Sequence, residues 1–417
     1  MITEQTYLKQ LVSLDLRALA LFRIALSIYL LVELFVNGFV AVQTVGFLPF
    51  DFSLQWQRVL AGAAVLACVA SFAKGYKARW SAFLLWLAYA CLHMGPDADR
   101  YHALICAVLL LCVFLPTARF FSLDDARDRG ALEDGAYPVI DNSYASVGTV
   151  AVLLIMFGCV AGVIAASLSV GQARWPVVAG LSIIAAQLLP TLGALRLIFI
   201  TLFVAAVAFA IRAQTGVEAF EYGLILVLAT LMVPGSVFDW ISERSVFSKR
   251  HDIRIYYDQP CGFCRKICFI FASFFMLGRC RIAAAQTDEA AHKLLRDNDS
   301  WVVFDGDGQH ELCWAALLKL MRASPVWFPL GYGLSWIGMG SWGKPLYRLI
   351  GNSRNQLSKL TATLLPYTSY RYELRTYEKV LITFWMLLLA VHYSGASASA
   401  YGSVADIMAL FGFSDMR

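Results

Sequence analysis

The sequence predicts a polytopic α-helical membrane bundle joined to one small α/β domain. Three observations carry that prediction. Hydrophobic residues make up 59% and charged residues 15% of the 417 positions, against about 45–50% and about 25% in an ordinary soluble domain. The 96 residues from Ala145 to Trp240 hold only six charged side chains, so runs near the 20 or so residues that cross a bilayer follow one another closely. Residues 251–380, by contrast, carry 27 charges in 130 positions, the density of a chain segment that faces water. The net charge of +5 is spread beside the apolar runs, without the clustering among aromatics that tracks nucleic acid, so no nucleic-acid partner is expected.

Eight apolar runs precede residue 241, at roughly 16–38, 57–73, 80–95, 102–117, 145–170, 174–191, 194–213 and 217–235, and a ninth stands at 379–397. The first run is too long for a cleaved leader and is expected to stay in the mature protein. Basic residues set the orientation. Lys74, Lys77 and Arg79 follow the second run and Arg119, Arg127 and Arg129 the fourth, whereas the loop after the third offers Asp97, Asp99 and Arg100. The basic loops are therefore expected in the cytoplasm of a cell whose inner membrane holds the chain. The N-terminus and residues 242–378 share that side, and the C-terminus faces out. The expected domains are 1–240 for the bundle, 249–360 for the water-facing unit and 379–397 for the last span.

Within the water-facing unit the pattern changes period. Residues 254–258, 281–285 and 301–304 read as strands, and residues 261–277, 288–296 and 311–322 as helices. Asp305-Gly-Asp-Gly308 is a hairpin-type turn. Strand, helix, strand, helix, strand, turn, helix is the order of a thioredoxin-like core. Pro325–Gly340 holds no charge and several aromatics, and is expected to lie against the membrane interface, with a tenth, broken span as the alternative.

Five of the ten cysteines stand singly in apolar runs (Cys68, Cys91, Cys106, Cys112 and Cys159), as small packing residues do. Cys261 and Cys264 form a Cys-x-x-Cys directly after the first strand and at a helix start. There the first thiol meets unpaired N–H groups and the positive end of the helix dipole, which favour its thiolate. Cys264, one turn on, is placed to attack the mixed disulfide that Cys261 forms. Zinc is the alternative, with Cys261, Cys264, Cys268 and Cys280 as sulfur ligands, although structural zinc sites usually show two short-spaced pairs. Asp258, three residues before Cys261, is a candidate either to accept a proton during exchange or to cap the helix.

Tyr256-Tyr257-Asp258-Gln259-Pro260-Cys261-Gly262-Phe263-Cys264 resembles the signature of the DCC family of thiol-disulfide oxidoreductases, with Gln259 at the family's glycine. The likeness extends through Asp299-Ser300-Trp301-Val302-Val303, Asp305 to Gly308, Tyr347-Arg348 and Asn352-Ser353-Arg354. It implies a thioredoxin-like fold and a redox-active cysteine pair.

Residues 10–240 resemble the HTTM family, the membrane domain related to the vitamin K-dependent γ-carboxylase. The carrying residues are Ala20-Leu-Phe-Arg23-Ile, Gly46-Phe-Leu-Pro49, Leu92-His93, Leu115-Pro116 and Ser122-Leu-Asp124. The carboxylase reaction is not carried over, because it wants a strong amine base and no lysine falls inside the eight runs before residue 241. Polar groups within lipid are costly and mark candidate sites: Arg23, Glu33, His93, Gln187 and Glu221. Arg23, about 10 Å from its run's inner end, is expected to pair with a carboxylate or backbone carbonyl of another helix. His93 suits a proton carrier, a quinone contact or a helix-to-helix hydrogen bond. Cys91 and Cys106, equidistant from the tip of the 95–102 loop, could face each other at one depth.

The expected activity is thiol-disulfide exchange by a membrane-tethered oxidoreductase, a reductase rather than an oxidase in a reducing compartment. Its partners are the lipid bilayer, a thiol or disulfide substrate and an electron donor that the residues do not name. Exchange by Cys-x-x-Cys requires no cofactor, and a quinone stays open as an electron partner. Two other classes remain: a membrane-embedded enzyme acting on a lipid, quinone or peptide with the cysteine domain as redox partner, and a non-catalytic maturation or scaffold protein.

Overall fold

The computed structural model describes residues 13–36, 55–93, 100–130, 143–146, 149–158, 174–188, 193–213, 217–244, 253–277, 280–298, 300–324, 326–337, 343, 345, 353–366 and 380. Helices dominate, and a small mixed sheet stands near the C-terminal end. The chain divides into two compact units, the first formed by Met1–Tyr29, Ser71–Ala78 and Leu115–Tyr370, the second by Leu30–Ala70, Arg79–Phe114 and Arg371–Arg417.

Each apolar run before residue 241 contains a helix: α1 (Leu16–Val36), α2 (Gln55–Ala73), α3 (Ala78–His93), α4 (Arg100–Phe114), α6 (Thr149–Gly158), α7 (Arg174–Leu188), α8 (Gly193–Ala213) and α9 (Val217–Ala229). Ala and Leu dominate these stretches, and both favour the helix. Among the described residues one helix, Leu16–Phe35, is long and apolar enough to cross a membrane, with a mean hydropathy of 2.0. Shorter apolar helices run over Leu60–Ala73, Leu104–Phe114, Thr149–Gly158, Ile198–Val207 and Tyr222–Met232. The expected last span, 379–397, lies outside the described residues save for Val380. The side chains of Cys91, His93 and Glu221 also lie outside them, while Cys106 and Gln187 are buried.

In the second unit Glu33 is buried, accepts the Tyr89 hydroxyl and stands 3.9 Å from His102 Nε2. In the first unit Arg23 is fully buried. Its guanidinium donates to the carbonyls of Thr117 (2.7 Å), Phe120 (3.4 Å) and Phe121 (2.5 Å), so backbone oxygens of the turn after α4 are the partners it meets. That turn leads into α5 (Leu123–Arg129). Ser122 caps α5 by accepting the Asp125 N–H at 2.8 Å. Acids open this helix and Arg127 and Arg129 close it, as its dipole favours. Asp124 accepts the N–H groups of Lys77 (3.0 Å) and Ala78 (2.9 Å) at the start of α3. Burial nevertheless pushes its carboxyl above the usual range, against the pull of those two N–H groups and of Arg127 and Arg23. Gly75, at φ +62°, belongs to the same junction: a Cβ there would collide with Ser122 and the Arg23 guanidinium. A two-residue antiparallel pair, β1 (Leu14–Asp15) and β2 (Ser143–Tyr144), and α10 (Gly235–Arg244) complete the helical part.

The α/β part follows as β3 (Ile253–Tyr257), α11 (Gly262–Phe274), β4 (Cys280–Ala284), α12 (Glu289–Asn298), β5 (Val302–Phe304), β6 (His310–Leu312), α13 (Cys313–Ala323), α14 (Phe328–Trp336) and α15 (Arg354–Leu364). The sheet order is β4-β3-β5-β6, with β3 and β4 parallel and the other neighbours antiparallel. Alternation along the strands divides the interior between the two faces. Ile255, Tyr257, Ile282 and Val303 join Cys268, Phe269 and Ala272 of α11 and Leu320 of α13 on one face, while Tyr256 and Val302 meet Ala291 of α12 on the other. Strand β6, read in the sequence as the start of a helix, is a departure: His-Glu-Leu has no strand-like pattern of its own and is recruited by pairing to β5.

A buried ion pair closes that hairpin. Asp305 Oδ2 lies 3.0 Å from Lys319 Nζ, and Asp305 Oδ1 accepts the N–H groups of Asp307 and Gln309. Burial alone would push this carboxyl up, but the Lys319 ammonium and the two N–H groups together hold it below the usual range.

Candidate functional site: the Cys261–Cys264 pair

Strand β3 ends at Tyr257, and the chain turns through Asp258, Gln259 and Pro260 into α11. The Asp258 carbonyl accepts the Cys261 N–H at 3.0 Å, and the Cys261 carbonyl accepts the Arg265 N–H, the first bond of the helix. Cys261 is itself the N-cap residue: its Sγ accepts the Cys264 N–H at 3.1 Å. The two cysteines are joined as a disulfide with their Cα atoms 5.2 Å apart. Both are half-buried, and Gln259, Pro260 and Gly262 beside them are exposed.

The two sulfurs are not equivalent. Cys264 packs against the core cluster of the domain, whereas Cys261 stands at the mouth of the helix. The Cys264 N–H at the Cys261 sulfur and the positive end of the helix dipole are arranged to favour an anion on that sulfur once the disulfide is reduced. The first turn of α11 contains no acid and is followed by Arg265 and Lys266. Lys266 donates to the Thr361 carbonyl of α15 at 2.8 Å, and burial pulls its ammonium below the usual range. Arg265 donates to the Gly130 carbonyl at 3.1 Å.

Asp258 lies next to the pair, but Cys261 occupies the cap position considered for it. Its carboxylate Oδ1 instead accepts Gln286 Nε2 at 2.9 Å, while Gln286 Oε1 accepts the Gln259 N–H at 3.2 Å. Gln286 thus clasps the loop from the turn after β4. No sequence signal singled it out, because a glutamine following a strand has many ordinary uses. Ser358 of α15 also reaches the site: a Cβ on Gly262 would stand 3.6 Å from its hydroxyl.

The other sulfurs named with a zinc cluster lie elsewhere. Cys268 and Cys280 are buried in the core, where burial first and the neighbouring Cys280 second push the Cys268 thiol far above its ordinary value. Among the described residues no group of three or more His, Cys, Asp or Glu is disposed to hold a metal.

At its far end α11 is bolted to α5. The Ser273 hydroxyl meets the Asp125 carboxylate and the Ser122 carbonyl (3.1 Å), and Arg129 Nε donates to the same Asp125 oxygen at 2.9 Å. The helix that carries the cysteines is therefore fixed near its start by Arg265 and Lys266 and near its end by Ser273.

No curated protein and no solved structure matches the chain. Residues 255–360, about a quarter of its length, match the family model described as DCC1-like thiol-disulfide oxidoreductase. The matched span opens in β3 and contains both cysteines, Asp258 and Gln286. Residues 255–360 constitute a thiol-disulfide oxidoreductase domain of the DCC1-like kind.

Proposed function

We propose that the protein is a membrane-tethered thiol-disulfide reductase whose α/β part is a thioredoxin-like domain on the cytoplasmic side of the inner membrane. In the dithiol form the Cys261 thiolate attacks one sulfur of a substrate disulfide. The substrate S–S bond breaks, its departing thiolate takes a proton, and a mixed disulfide joins Cys261 to the substrate. Cys264, after giving up its proton, attacks the Cys261 sulfur and expels the second substrate thiol. Two electrons and two protons reach the substrate, and the Cys261–Cys264 disulfide remains for an external dithiol donor to reduce. Asp258, three residues before Cys261, is assigned to accept the proton of Cys264 when its carboxylate leaves Gln286.

The observation that carries this reading is the bonded pair at the start of α11, with the Cys264 N–H directed at Cys261 Sγ. Membrane tethering is supported by the apolar runs and by large apolar side chains exposed on the helices, among them Ile28, Phe35, Leu154 and Leu181. The eight apolar runs before residue 241 and the one at 379–397 support a bundle of eight spans followed by a ninth. Arg23, engaged by three carbonyls, is better explained as a structural clasp than as a catalytic group.

Trapping tests the proposal. Cys264→Ser should strand a mixed disulfide on Cys261 and retain the substrate through denaturing, non-reducing electrophoresis, whereas the double variant with Cys261→Ser should retain nothing. Equal retention by both would overturn the assignment of the attacking sulfur.

A further inference from the structure

Between Glu311 and Glu373 the chain runs through 61 residues, 312–372, without one aspartate or glutamate. The same stretch holds seven basic residues, six of them besides Lys319, which is buried against Asp305. At its centre, residues 325–340 contain no charge of either sign. Helix α14 lies there, flanked in sequence by Arg322 on one side and by Lys344 and Arg348 on the other.

One side of α14 is seated on the domain. Gly331 is buried, and a Cβ there would stand 2.8 Å from the Arg322 backbone nitrogen, so the helix packs closely on α13. Trp327 Nε1 donates to the Phe274 carbonyl at the end of α11, at 3.1 Å. The other side is apolar and bare. Trp336 is 91% exposed and Ile337 69%, and Val326, Leu330 and Tyr332 are exposed with them. A water-facing domain rarely displays so dense a patch without something to cover it.

We propose that this face docks on an anionic phospholipid surface. Tryptophan and tyrosine with aliphatic neighbours, and no charge among them, suit the boundary between headgroups and acyl chains. The acid-free basic flanks suit a negatively charged leaflet, where each lysine or arginine adds to the attraction. A second copy fits less well, because a twofold contact through α14 would bring together two copies of the same acid-free basic stretch. Such docking would hold the domain, and with it Cys261, close to the bilayer. The inference does not depend on the redox reading.

The test uses the full chain in lipid nanodiscs with Trp336→p-benzoylphenylalanine as photocrosslinker. Ile337 serves as a second labelled position, and exposed Lys293 on α12 as the control. In discs containing phosphatidylglycerol, lipid adducts at 336 and 337 should exceed those at 293 several-fold. They should fall several-fold in discs of phosphatidylcholine alone, and also when Lys344, Arg348 and Lys359 are all changed to Gln. Adducts to a second copy or to another segment of the same chain would overturn the proposal, as would lipid adducts that match the control or ignore headgroup charge. Cys261→Ser abolishes exchange under the redox reading and should leave the adduct pattern unchanged, so the two ideas can fail separately.

Discussion

Cys264 and Cys268 stand one turn apart on the same helix and have opposite fates. The first shares a disulfide with Cys261 at the helix mouth. The second is a free thiol at 0% exposure among Phe269, Ala272 and Val303, its ionisation opposed by burial. Same residue type, same helix and same domain: Cys264 stands near enough to the helix mouth to bond the Cys261 sulfur, which accepts a backbone N–H, whereas apolar side chains enclose Cys268. Reactivity here is a property of position along α11, since a thiolate needs donors and access, and the core supplies neither.

The comparison breaks first, and hardest, at the mouth. Cys261→Ser should reduce disulfide-reductase turnover to background, and Cys264→Ser should convert turnover into a trapped adduct. Cys268→Ala should leave turnover near wild type while lowering stability by about 1 kcal/mol. Loss of activity in Cys268→Ala with the fold intact would show that the buried sulfur takes part after all.

The core sulfur should become reactive only when the domain opens. Asp305→Asn leaves the Lys319 ammonium buried without its carboxylate and should cost about 3–5 kcal/mol of stability. Cys268 should then be alkylated at a rate that tracks unfolding. The pH dependence has a definite sign. Asp305 is held below its unfolded value, so the stability contributed by the pair is full above about pH 4 and is lost as the pH falls through the lowered folded value. Acid titration of wild type against Asp305→Asn, followed by circular dichroism, should show the two converging at low pH.

Much of the domain was legible beforehand because its signals are local. Residues 254–258 and 301–304 read as strands by content, within a residue of the observed Ile253–Tyr257 and Val302–Phe304, and Cys261 announces a helix mouth by following the first of them. Strand β6 was not legible, since His310-Glu-Leu312 is extended only because β5 offers its edge. Neither was the clasp by Gln286, nor the seat that α5 provides for Ser273, which lies 148 residues from Asp125 in sequence. Long-range polar contacts leave no periodicity to read. Arg23 was readable as a buried cation in need of partners, but the identity of those partners, three carbonyls of one turn, depends on the folded backbone.

The seat can be loosened without touching either sulfur. Ser273→Ala removes the hydroxyl that Asp125 accepts within a buried cluster, and should cost about 1–2 kcal/mol. Arg129 remains on that carboxylate, which keeps the effect below that of Asp305→Asn. Turnover per folded molecule should change little, because the N-cap geometry at Cys261 lies at the other end of α11. A large fall in turnover with folding preserved would mean that the far anchor sets the position of the mouth.

The smallest expected effect concerns Gln286, and it bears most directly on why the two classes of sulfur differ. In the reduced protein, alkylation rate against pH should place the Cys261 midpoint below the ordinary thiol value of about 8.5. Gln286→Ala unclasps the loop from Gln259 and releases the Asp258 carboxylate, at a cost in stability of about 0.5–1 kcal/mol because both contacts are solvent-exposed. A carboxylate free to approach a developing thiolate opposes it, so the Cys261 midpoint should rise, by less than about one unit. Asp258→Asn in the same background should reverse the rise, since the opposing charge is then gone. If the midpoint stays fixed in both variants, the low ionisation of Cys261 owes nothing to the loop and rests on the N–H of Cys264 and the helix dipole alone.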